Sequence, residues 1–501
     1  MPNIRKFINY AKKHPHLVLL CLILIIALFF RAYKLIEWFE FAQDGDLYSW
    51  IVKDIVVDKH LRLIGQLTTA PGIFIGPAFY YILIPFFLVA HMDPVGAVIP
   101  ITLMGVLTVA SYYYVFSKLF NKEVGLVAAF LYAILLSLVI FDRRVVPSTP
   151  TNLWLVWYFY TVLMIRRGNF SVLPLLGVLI GLIWHIHIAL APALIAVPVA
   201  LVLSGKIPPL KKIFLSIFAF FVISTPLIFF EARHNFSQTT SFIQNLFINQ
   251  GGGTGFEKMQ LVIIKMVGDI IRLFFYPQGL PFINHYFFVA LLFLSGLFLV
   301  KKQLLHIREL TIFYVWTGTI VLFYTFSSTI ISEYYFANIE IIFLTIAALL
   351  LYSLYKSSRP GKYWTIGILL VVFFKNSFFF LTTDIYHKGY VERKGVAAFI
   401  TEDARKHDLP CVAISYITSP GENVGFRYFF FLNNLKTTQI QEGAATYSIV
   451  LPPHLAQGQN EKLFGQIKII PPEKIPPTAE ITKSCSGQNT NLTDSLFGFT
   501  D

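Results

Sequence analysis

Four clusters of ionisable side chains lie at the ends of long apolar runs in this 501-residue chain. Ionisable groups at membrane depth are costly and are therefore candidates for function. Carboxylates placed there can serve as a general base or a metal ligand, and guanidinium or imidazole groups can bind an anion. Each cluster also admits a purely structural interpretation.

The first cluster comprises Asp44, Asp46 and Tyr48. In the structural interpretation, Asp44 caps a helix that continues through Trp50. In the functional one, Asp44 and Asp46 are catalytic carboxylates at the boundary between water and membrane, and Tyr48 lies beside the substrate. A divalent metal ion bound by Asp44 and Asp46 also stays open.

Two further clusters are rich in basic residues and histidine. Arg143 and Arg144 follow Asp142 at the end of an apolar run, where they either pair with Asp142 or bind a phosphate. His185 and His187 stand between two apolar runs without a loop of their own, as structural or as substrate-binding residues.

The fourth cluster contains Glu231, Arg233 and His234 and lies where an apolar run ends. These side chains either extend to the membrane interface or contact the substrate. Further along the chain, Arg272 lies on the polar face of a predicted amphipathic helix over 258–273. That helix follows a glycine-rich linker, and we expect it to lie in the membrane plane.

The composition indicates which elements position these clusters. Hydrophobic residues make up 56% of the chain and charged residues only 13%, whereas soluble domains carry roughly 25% charged residues. A membrane span needs about 20 mostly apolar residues, and apolar runs of nearly that length recur along the sequence. The net charge of +13 arises from Lys and Arg in short loops between these runs. It therefore reflects membrane topology, and nucleic acid is excluded as a partner.

Six basic clusters determine the predicted topology. Placing all of them in the cytoplasm gives about eleven transmembrane helices in a plasma membrane, with the N-terminus inside and the C-terminus outside. The stretch 76–91, which contains Pro77, Tyr80 and Tyr81, is then a re-entrant or interfacial element rather than a span. The same topology places all four ionisable clusters on the external side, around a cleft. Such a cleft suits a substrate that has an anionic head and a lipid tail.

The chain divides into two parts. Residues 1–381 form an all-α membrane domain with external loops over 34–75 and 231–283. Residues 382–501 form a small extracytoplasmic α/β domain with a loose tail.

In the C-terminal part we predict a helix over 390–407 and strands near 411–416, 447–451 and 466–470. Cys411 and Cys485 both fall in this part, and they could form a disulfide bond in an oxidising compartment.

The order of these features resembles that of the GT-C glycosyltransferases that use polyprenyl-phosphate sugars. Within them, the bacterial protein O-mannosyltransferase-like group and the lipid A aminoarabinose transferases are the most similar. The resemblance covers roughly residues 15–360. The residues that carry it are Asp44 with Tyr48, the stretch 77–81, Arg143 with Pro147, Gly181 with His187, and the stretch 230–236.

The resemblance implies a GT-C-like fold with Asp44 as the catalytic base. The chain departs from the family at Ser148, where relatives often carry Asp, and at Gly45, where they often carry Glu. Asp46 is therefore the alternative second carboxylate. The resemblance also implies that Arg143, His187 and Arg233 bind the lipid phosphate. The candidate substrate-binding residues are Tyr48, Tyr80, Tyr81, Arg143, Arg144, His185, His187, Glu231, Arg233, His234 and Arg272.

The expected function is that of an inverting hexosyl- or pentosyltransferase. It would move a sugar from a polyprenyl-phosphate donor to an external acceptor hydroxyl, without a nucleotide. The alternative is a transporter or flippase of lipid-linked saccharides. A transporter needs polar groups along the whole path of its substrate through the membrane, whereas the inner halves of the predicted spans are almost entirely apolar. A glycan, a lipid and a protein all stay open as the acceptor.

Overall fold

The computed structural model describes residues 13–68, 70–247, 251–277, 283–384, 387–422 and 424–492. The fold class is the predicted one, an all-α membrane domain followed by a small α/β domain. The helices of the membrane domain are α1 (Pro15–Ala32), α2 (Gln43–Val56), α3 (Ala78–Val89), α4 (Val98–Leu119), α5 (Lys122–Ile134), α6 (Leu136–Phe141), α7 (Thr151–Arg166), α8 (Leu173–Ile186), α9 (Ala196–Ser204), α10 (Leu210–Arg233), α11 (Ser237–Phe247), α12 (Phe256–Phe275), α13 (His285–Lys301), α14 (Ile307–Phe326), α15 (Ala337–Ser357) and α16 (Arg359–Thr382).

Among the described residues, six helices are long and apolar enough to span a membrane: α1, α4 with the 3₁₀ turn before it, α10, α14, α15 and α16. By contrast, α3 has 12 residues, which corresponds to about 18 Å at 1.5 Å per residue. This length is less than the hydrocarbon core of roughly 30 Å, so α3 cannot cross it alone.

Two apolar runs are broken where polar residues enter the bundle. The run 123–141 is divided between α5 and α6 at Leu135, whose ψ of 116° is extended. The run after α8 turns at His187 into a 3₁₀ helix, Ile188–Ile195. Each break leaves backbone N–H and C=O groups that nearby side chains must satisfy.

A buried ion pair connects α1 to the end of α6. Nη2 of Arg31 lies 2.6 Å from the Asp142 carboxylate, which also accepts a hydrogen bond of 2.8 Å from the Tyr132 hydroxyl. Asp142 thus pairs with Arg31 and not with the adjacent Arg143 or Arg144, which leaves these two side chains for other contacts.

The amphipathic helix α12 packs against α13, α14 and α15. On its polar face, Nζ of Lys258 donates to the Thr329 carbonyl over 2.7 Å, and Nζ of Lys265 donates to the Ile331 carbonyl over 2.6 Å. Its polar face therefore contacts the segment that leads into α15. The orientation of this helix in the membrane plane stays a prediction from the sequence.

The C-terminal domain contains the predicted helix and the three predicted strands. Its elements are α17 (Tyr390–Lys406), β1 (Val412–Thr418), α18 (Arg427–Leu432), β2 (Thr437–Thr438), β3 (Thr446–Leu451), β4 (Lys462–Phe464), β5 (Ile467–Ile470) and α19 (Thr478–Ser484). The strand order is β2-β1-β3-β5-β4, with β1 parallel to β2 and β3 and the other pairs antiparallel. Cys411 and Cys485 form a disulfide bond.

The first long loop of the membrane domain and the C-terminal domain share one hydrophobic core. Phe41 and Trp50 lie in the same buried cluster as Phe429 and Tyr447. The rings of Phe41 and Phe429 are 4.7 Å apart. The C-terminal domain is therefore packed directly onto α2, the helix that carries the first ionisable cluster.

Candidate active site

Asp44 lies in the first turn of α2 and its side chain is exposed. Ala42 is the N-cap residue of this helix, so Asp44 is not the helix cap. Gly45 lies against the ring of Phe41, and a Cβ at this position would come within 2.6 Å of a ring carbon. This close packing fixes the first turn of α2 and leaves the Asp44 carboxylate facing the solvent.

Gln66 connects Asp44 to Tyr80. Its Nε2 donates a hydrogen bond of 3.2 Å to Oδ1 of Asp44. Its Oε1 accepts a hydrogen bond from the Tyr80 hydroxyl over 3.2 Å, and its backbone N–H donates to the same hydroxyl over 3.0 Å. The amide is held at both ends, so it orients the carboxylate of the candidate base.

Asp46 points to the other side of α2, because residues two apart on a helix diverge by about 200°. Its carboxylate is buried and accepts a hydrogen bond of 2.8 Å from the backbone N–H of Tyr428 in α18. Burial raises the pKa of Asp46 to about 6. Asp44 and Asp46 therefore face different surroundings, and a metal ion that bridges them has no common site. Within the described ranges, no group of three or more His, Cys, Asp or Glu residues is placed to bind a metal ion.

His185 positions the start of α3. Its Nδ1 accepts a hydrogen bond of 3.3 Å from the backbone N–H of Ala78, and its Nε2 lies 3.0 Å from the carbonyl oxygen of Ile223 in α10. Gly76 lies directly against the ring, where a Cβ would be 2.3 Å from Nδ1. The imidazole thus ties α3, which carries Tyr80, to α10.

Glu231 positions the loop before α3 through a second chain of contacts. Its two carboxylate oxygens accept hydrogen bonds of 3.0 and 2.9 Å from the backbone N–H groups of Gln238 and Thr239, at the start of α11. Oε1 of Gln238 in turn accepts from the backbone N–H of Phe74 over 3.0 Å. This loop carries Gln66, so Glu231 acts on the candidate base through other residues.

Arg143 satisfies the carbonyl groups at the end of α1. Its Nη1 donates to the Phe30 carbonyl over 2.8 Å, and its Nη2 donates to the Tyr33 carbonyl over 2.9 Å. The guanidinium also lies over the Trp38 ring, 5.3 Å from its centroid. Most of its donors are therefore engaged in the fold.

His187 begins the 3₁₀ helix Ile188–Ile195, and Arg233 and His234 lie together at the end of α10. Nδ1 of His187 accepts from the backbone N–H of Ala189 over 3.0 Å and caps the 3₁₀ helix. His234 stacks on Phe230 with centroids 4.2 Å apart, and Arg233 is exposed at the end of α10. His187 and His234 thus make contacts within their own turns of the chain.

The predicted tyrosines belong to the scaffold. Tyr48 is fully buried and meets Phe87 edge-on at 6.2 Å. The hydroxyl of Tyr81 donates to the Arg62 carbonyl over 3.0 Å. Of these three tyrosines, Tyr80 is the one that is linked to the Asp44 carboxylate, through its hydrogen bond to Gln66.

A charged cavity of about 410 Å³ lies between α6, α12 and the start of α15. Three cationic side chains, Arg144, Lys265 and Arg272, line it together with the acidic Asp269 and Glu340. Arg272 pairs with Asp269 over 2.5 Å. Arg144 and Arg272, two of the predicted substrate-binding residues, thus line the same cavity.

Arg144 connects this cavity to the loop that carries the candidate base. Its Nε lies 3.4 Å from a carboxylate oxygen of Glu40, and its side chain is 45% exposed. Glu40 precedes Asp44 by four residues, a length of chain that spans at most roughly 14 Å. The contact between Arg144 and Glu40 therefore connects the cavity to the chain segment that leads to Asp44.

Sequence reasoning missed Gln66 and Glu340. Gln66 belongs to no motif, and its role depends on contacts with two distant residues. Glu340 gave a usable signal, because an acidic residue in the first turn of an apolar helix is a functional candidate by default.

Known proteins share both sequence and fold features with this chain. The sequence model of the dolichyl-phosphate-mannose-protein mannosyltransferase family matches residues 75–230. No curated protein sequence matches the chain. The crystal structure of ArnT from Cupriavidus metallidurans bound to undecaprenyl phosphate is 11% identical, with 91% of this chain and 98% of that chain covered and a TM-score of 0.58.

The archaeal oligosaccharyltransferase AglB from Archaeoglobus fulgidus, in complex with an inhibitory peptide and a dolichol-phosphate, is 15% identical over 88% of this chain and 70% of that chain, with a TM-score of 0.46. The similarity to ArnT extends over nearly the whole of both chains. The chain thus has the GT-C fold, and residues 75–230 resemble the dolichyl-phosphate-mannose-protein mannosyltransferase family.

Proposed function

We propose that this protein transfers a sugar from a polyprenyl-phosphate carrier to an acceptor hydroxyl, with Asp44 as the general base. The observation that carries the proposal is an exposed carboxylate, oriented by Gln66, on a chain segment whose Glu40 contacts a cavity lined by three cationic side chains. Displacement of a phosphate leaving group requires a base and an anion site in one cleft.

The chemistry is a single displacement. Asp44 accepts the proton of the acceptor hydroxyl while the hydroxyl oxygen bonds to the anomeric carbon of the sugar. The bond from that carbon to the phosphate oxygen breaks, and its electron pair stays on the phosphate. The carrier leaves as a phosphate monoester with one more negative charge, and attack from the opposite face inverts the anomeric configuration.

We assign the cavity to the phosphate of the carrier. Arg144 is the principal ligand, because its guanidinium is exposed and its pairing with Glu40 is long, at 3.4 Å. An arginine offers a planar fork that matches phosphate oxygens. Lys265 and Arg272 are held by the Ile331 carbonyl and by Asp269, so they add positive potential from fixed positions.

The relatives support this donor class. ArnT was solved with undecaprenyl phosphate, and the matching family is named for dolichyl-phosphate mannose. Because basic residues concentrate at the opposite end of the helices, we place that end in the cytoplasm and the candidate site with the C-terminal domain outside. The acceptor is then a hydroxyl compound of the external compartment.

The test is donor turnover by purified protein in lipid nanodiscs, with a panel of polyprenyl-phosphate sugars. Asp44→Asn should lower the rate of sugar transfer or release by about 10²- to 10⁴-fold. The control is Asp58→Asn, which should retain the wild-type rate. Asp58 is an exposed acidic residue of the same loop, and its side chain pairs with Lys53. Equal rates for Asp44→Asn and wild type would exclude Asp44 as the base. Movement of the intact donor across the bilayer without turnover would identify a flippase instead.

A further inference from the structure

A second cavity lies at the other end of the membrane domain. It has a volume of about 550 Å³ and lies between the α4–α5 turn, the α13–α14 turn and the late part of α15. Glu340 of the first cavity and Tyr352 of the second are both on α15, about 18 Å apart along the helix axis. The proposed reaction uses no residue at this end.

The side chains that line this second cavity offer hydrogen-bond donors in excess. In the described part of the chain, the two terminal nitrogens of Arg167, Nε2 of His306 and the hydroxyl of Tyr352 have no hydrogen-bond partner in the protein. Gln303 adds an exposed amide at the cavity mouth. These donors are exposed or half-exposed, so an anionic ligand in the cavity can accept hydrogen bonds from them in place of solvent.

The acidic residue of the lining is already neutralised. Oε1 of Glu309 accepts a hydrogen bond of 3.0 Å from Nε of Arg167, and Nη1 of Arg166 lies 3.7 Å from the same oxygen. Oε2 of Glu309 accepts from the backbone N–H of His306 over 3.3 Å. The side chain is 4% exposed, so its charge does not oppose an anion at the cavity mouth.

Apolar side chains line one part of the cavity, and basic side chains lie near it at the same ends of the helices. Leu119, Val124 and Leu349 form a buried apolar wall of the cavity. Basic residues of the same helix ends are Lys118, Lys122, Lys301, Lys302, Arg308 and Lys356. The cavity therefore combines a positive, donor-rich part with an apolar part at the level where helices end.

We propose that this cavity binds the phosphate headgroup of an anionic phospholipid from the leaflet that faces the basic end of the protein. The headgroup would accept hydrogen bonds from Arg167, His306 and Tyr352, and the first acyl carbons would contact the apolar wall. Basic pockets between helices are suited to such headgroups. Inorganic phosphate shares the headgroup chemistry but has nothing to place against the apolar wall.

The test is native mass spectrometry of the purified full-length protein with phosphatidylglycerol, phosphatidylcholine or inorganic phosphate. Phosphatidylglycerol should bind on the order of ten-fold more tightly than phosphatidylcholine. Gln303→Glu places a negative charge at the cavity mouth and should weaken phosphatidylglycerol binding on the order of ten-fold. Tyr352→Phe, which removes a hydroxyl that has no protein partner among the described residues, should weaken it less.

Lys362→Gln is the matched control, because Lys362 belongs to the same end of the bundle but does not line the cavity. It should leave phosphatidylglycerol binding unchanged. Equal retention of the two lipids, or unchanged binding in Gln303→Glu, would overturn the proposal. So would binding of inorganic phosphate as tight as that of the lipid, or a loss in Lys362→Gln as large as that in Gln303→Glu.

Discussion

The carboxylate of Asp46 accepts a hydrogen bond from the backbone N–H of Tyr428, although 382 residues separate the two in the sequence. The bond joins α2 to α18, and Trp50 reinforces it by packing on Phe431 with ring centroids 5.2 Å apart. The helix that carries Asp44 is therefore fixed by the C-terminal domain on one face and by the Gln66 loop on the other. In this arrangement the C-terminal domain is a structural part of the candidate active site.

Replacement of Asp46 by Ala should lower kcat for sugar transfer on the order of ten-fold, because the buried N–H of Tyr428 loses its acceptor and α2 loses its anchor. Asp46→Asn retains an oxygen at this position and should recover most of the activity. The KM for the donor should change little, since Asp46 does not face the charged cavity. Steady-state kinetics on folded, purified variants measure both effects. A wild-type kcat in Asp46→Ala would contradict the positioning role.

The titration of Asp46 gives a separate prediction for stability. Burial raises the pKa of its carboxyl from 3.8 to about 6, so the folded protein binds this proton more tightly than the unfolded chain. The resulting stabilisation is fully present below about pH 3.8 and is lost as the pH rises through about 6. Asp46→Asn lacks this dependence. Its Tm relative to wild type should therefore increase between about pH 4 and about pH 7 in thermal unfolding. A constant difference would argue against a raised pKa.

Local features of the sequence were sufficient to predict much of the fold. The predicted helix over 390–407 corresponds to Tyr390–Lys406 in the structure, and the three predicted strands lie within one or two residues of β1, β3 and β5. These elements follow from periodicity and from the turn residues between them. The partner of Asp46 could not be predicted in this way, because that contact depends on how the C-terminal domain packs onto α2.

Arg143 and Arg144 also show that the sequence does not determine which contacts a given side chain makes. The sequence places both beside an apolar run, and the family resemblance selects Arg143 for the phosphate. In the structure, Arg143 bonds to the last carbonyls of α1, and Arg144 lines the charged cavity. Which of two adjacent side chains faces which neighbour depends on the backbone of the turn after α6, and composition and spacing do not determine that.

Gln66 should be required for efficient catalysis. Gln66→Leu removes the donor to Oδ1 of Asp44, and a hydrogen bond to a charged group contributes about 1.5–3 kcal/mol, so kcat should fall by roughly 10- to 100-fold. Tyr80→Phe removes only the hydroxyl that donates to Oε1 of Gln66 and should have a smaller effect in the same direction. The matched control is Tyr81→Phe, whose hydroxyl bonds to the Arg62 carbonyl and not to this network. A fall in Tyr81→Phe equal to that in Gln66→Leu would indicate general damage to the loop.

The two adjacent arginines should separate substrate binding from stability. Arg144→Gln removes the exposed guanidinium of the cavity and should raise the KM for the polyprenyl-phosphate donor on the order of ten-fold, at nearly unchanged Tm. Arg144→Lys keeps the charge but not the planar fork, so it should recover only part of the loss. Arg143→Gln leaves the carbonyls of Phe30 and Tyr33 without their donor and should lower the Tm instead, with the donor KM close to wild type. The opposite assignment, with the KM effect at Arg143 and the Tm effect at Arg144, would show that the phosphate binds at the end of α1 and not in the cavity between α6, α12 and α15.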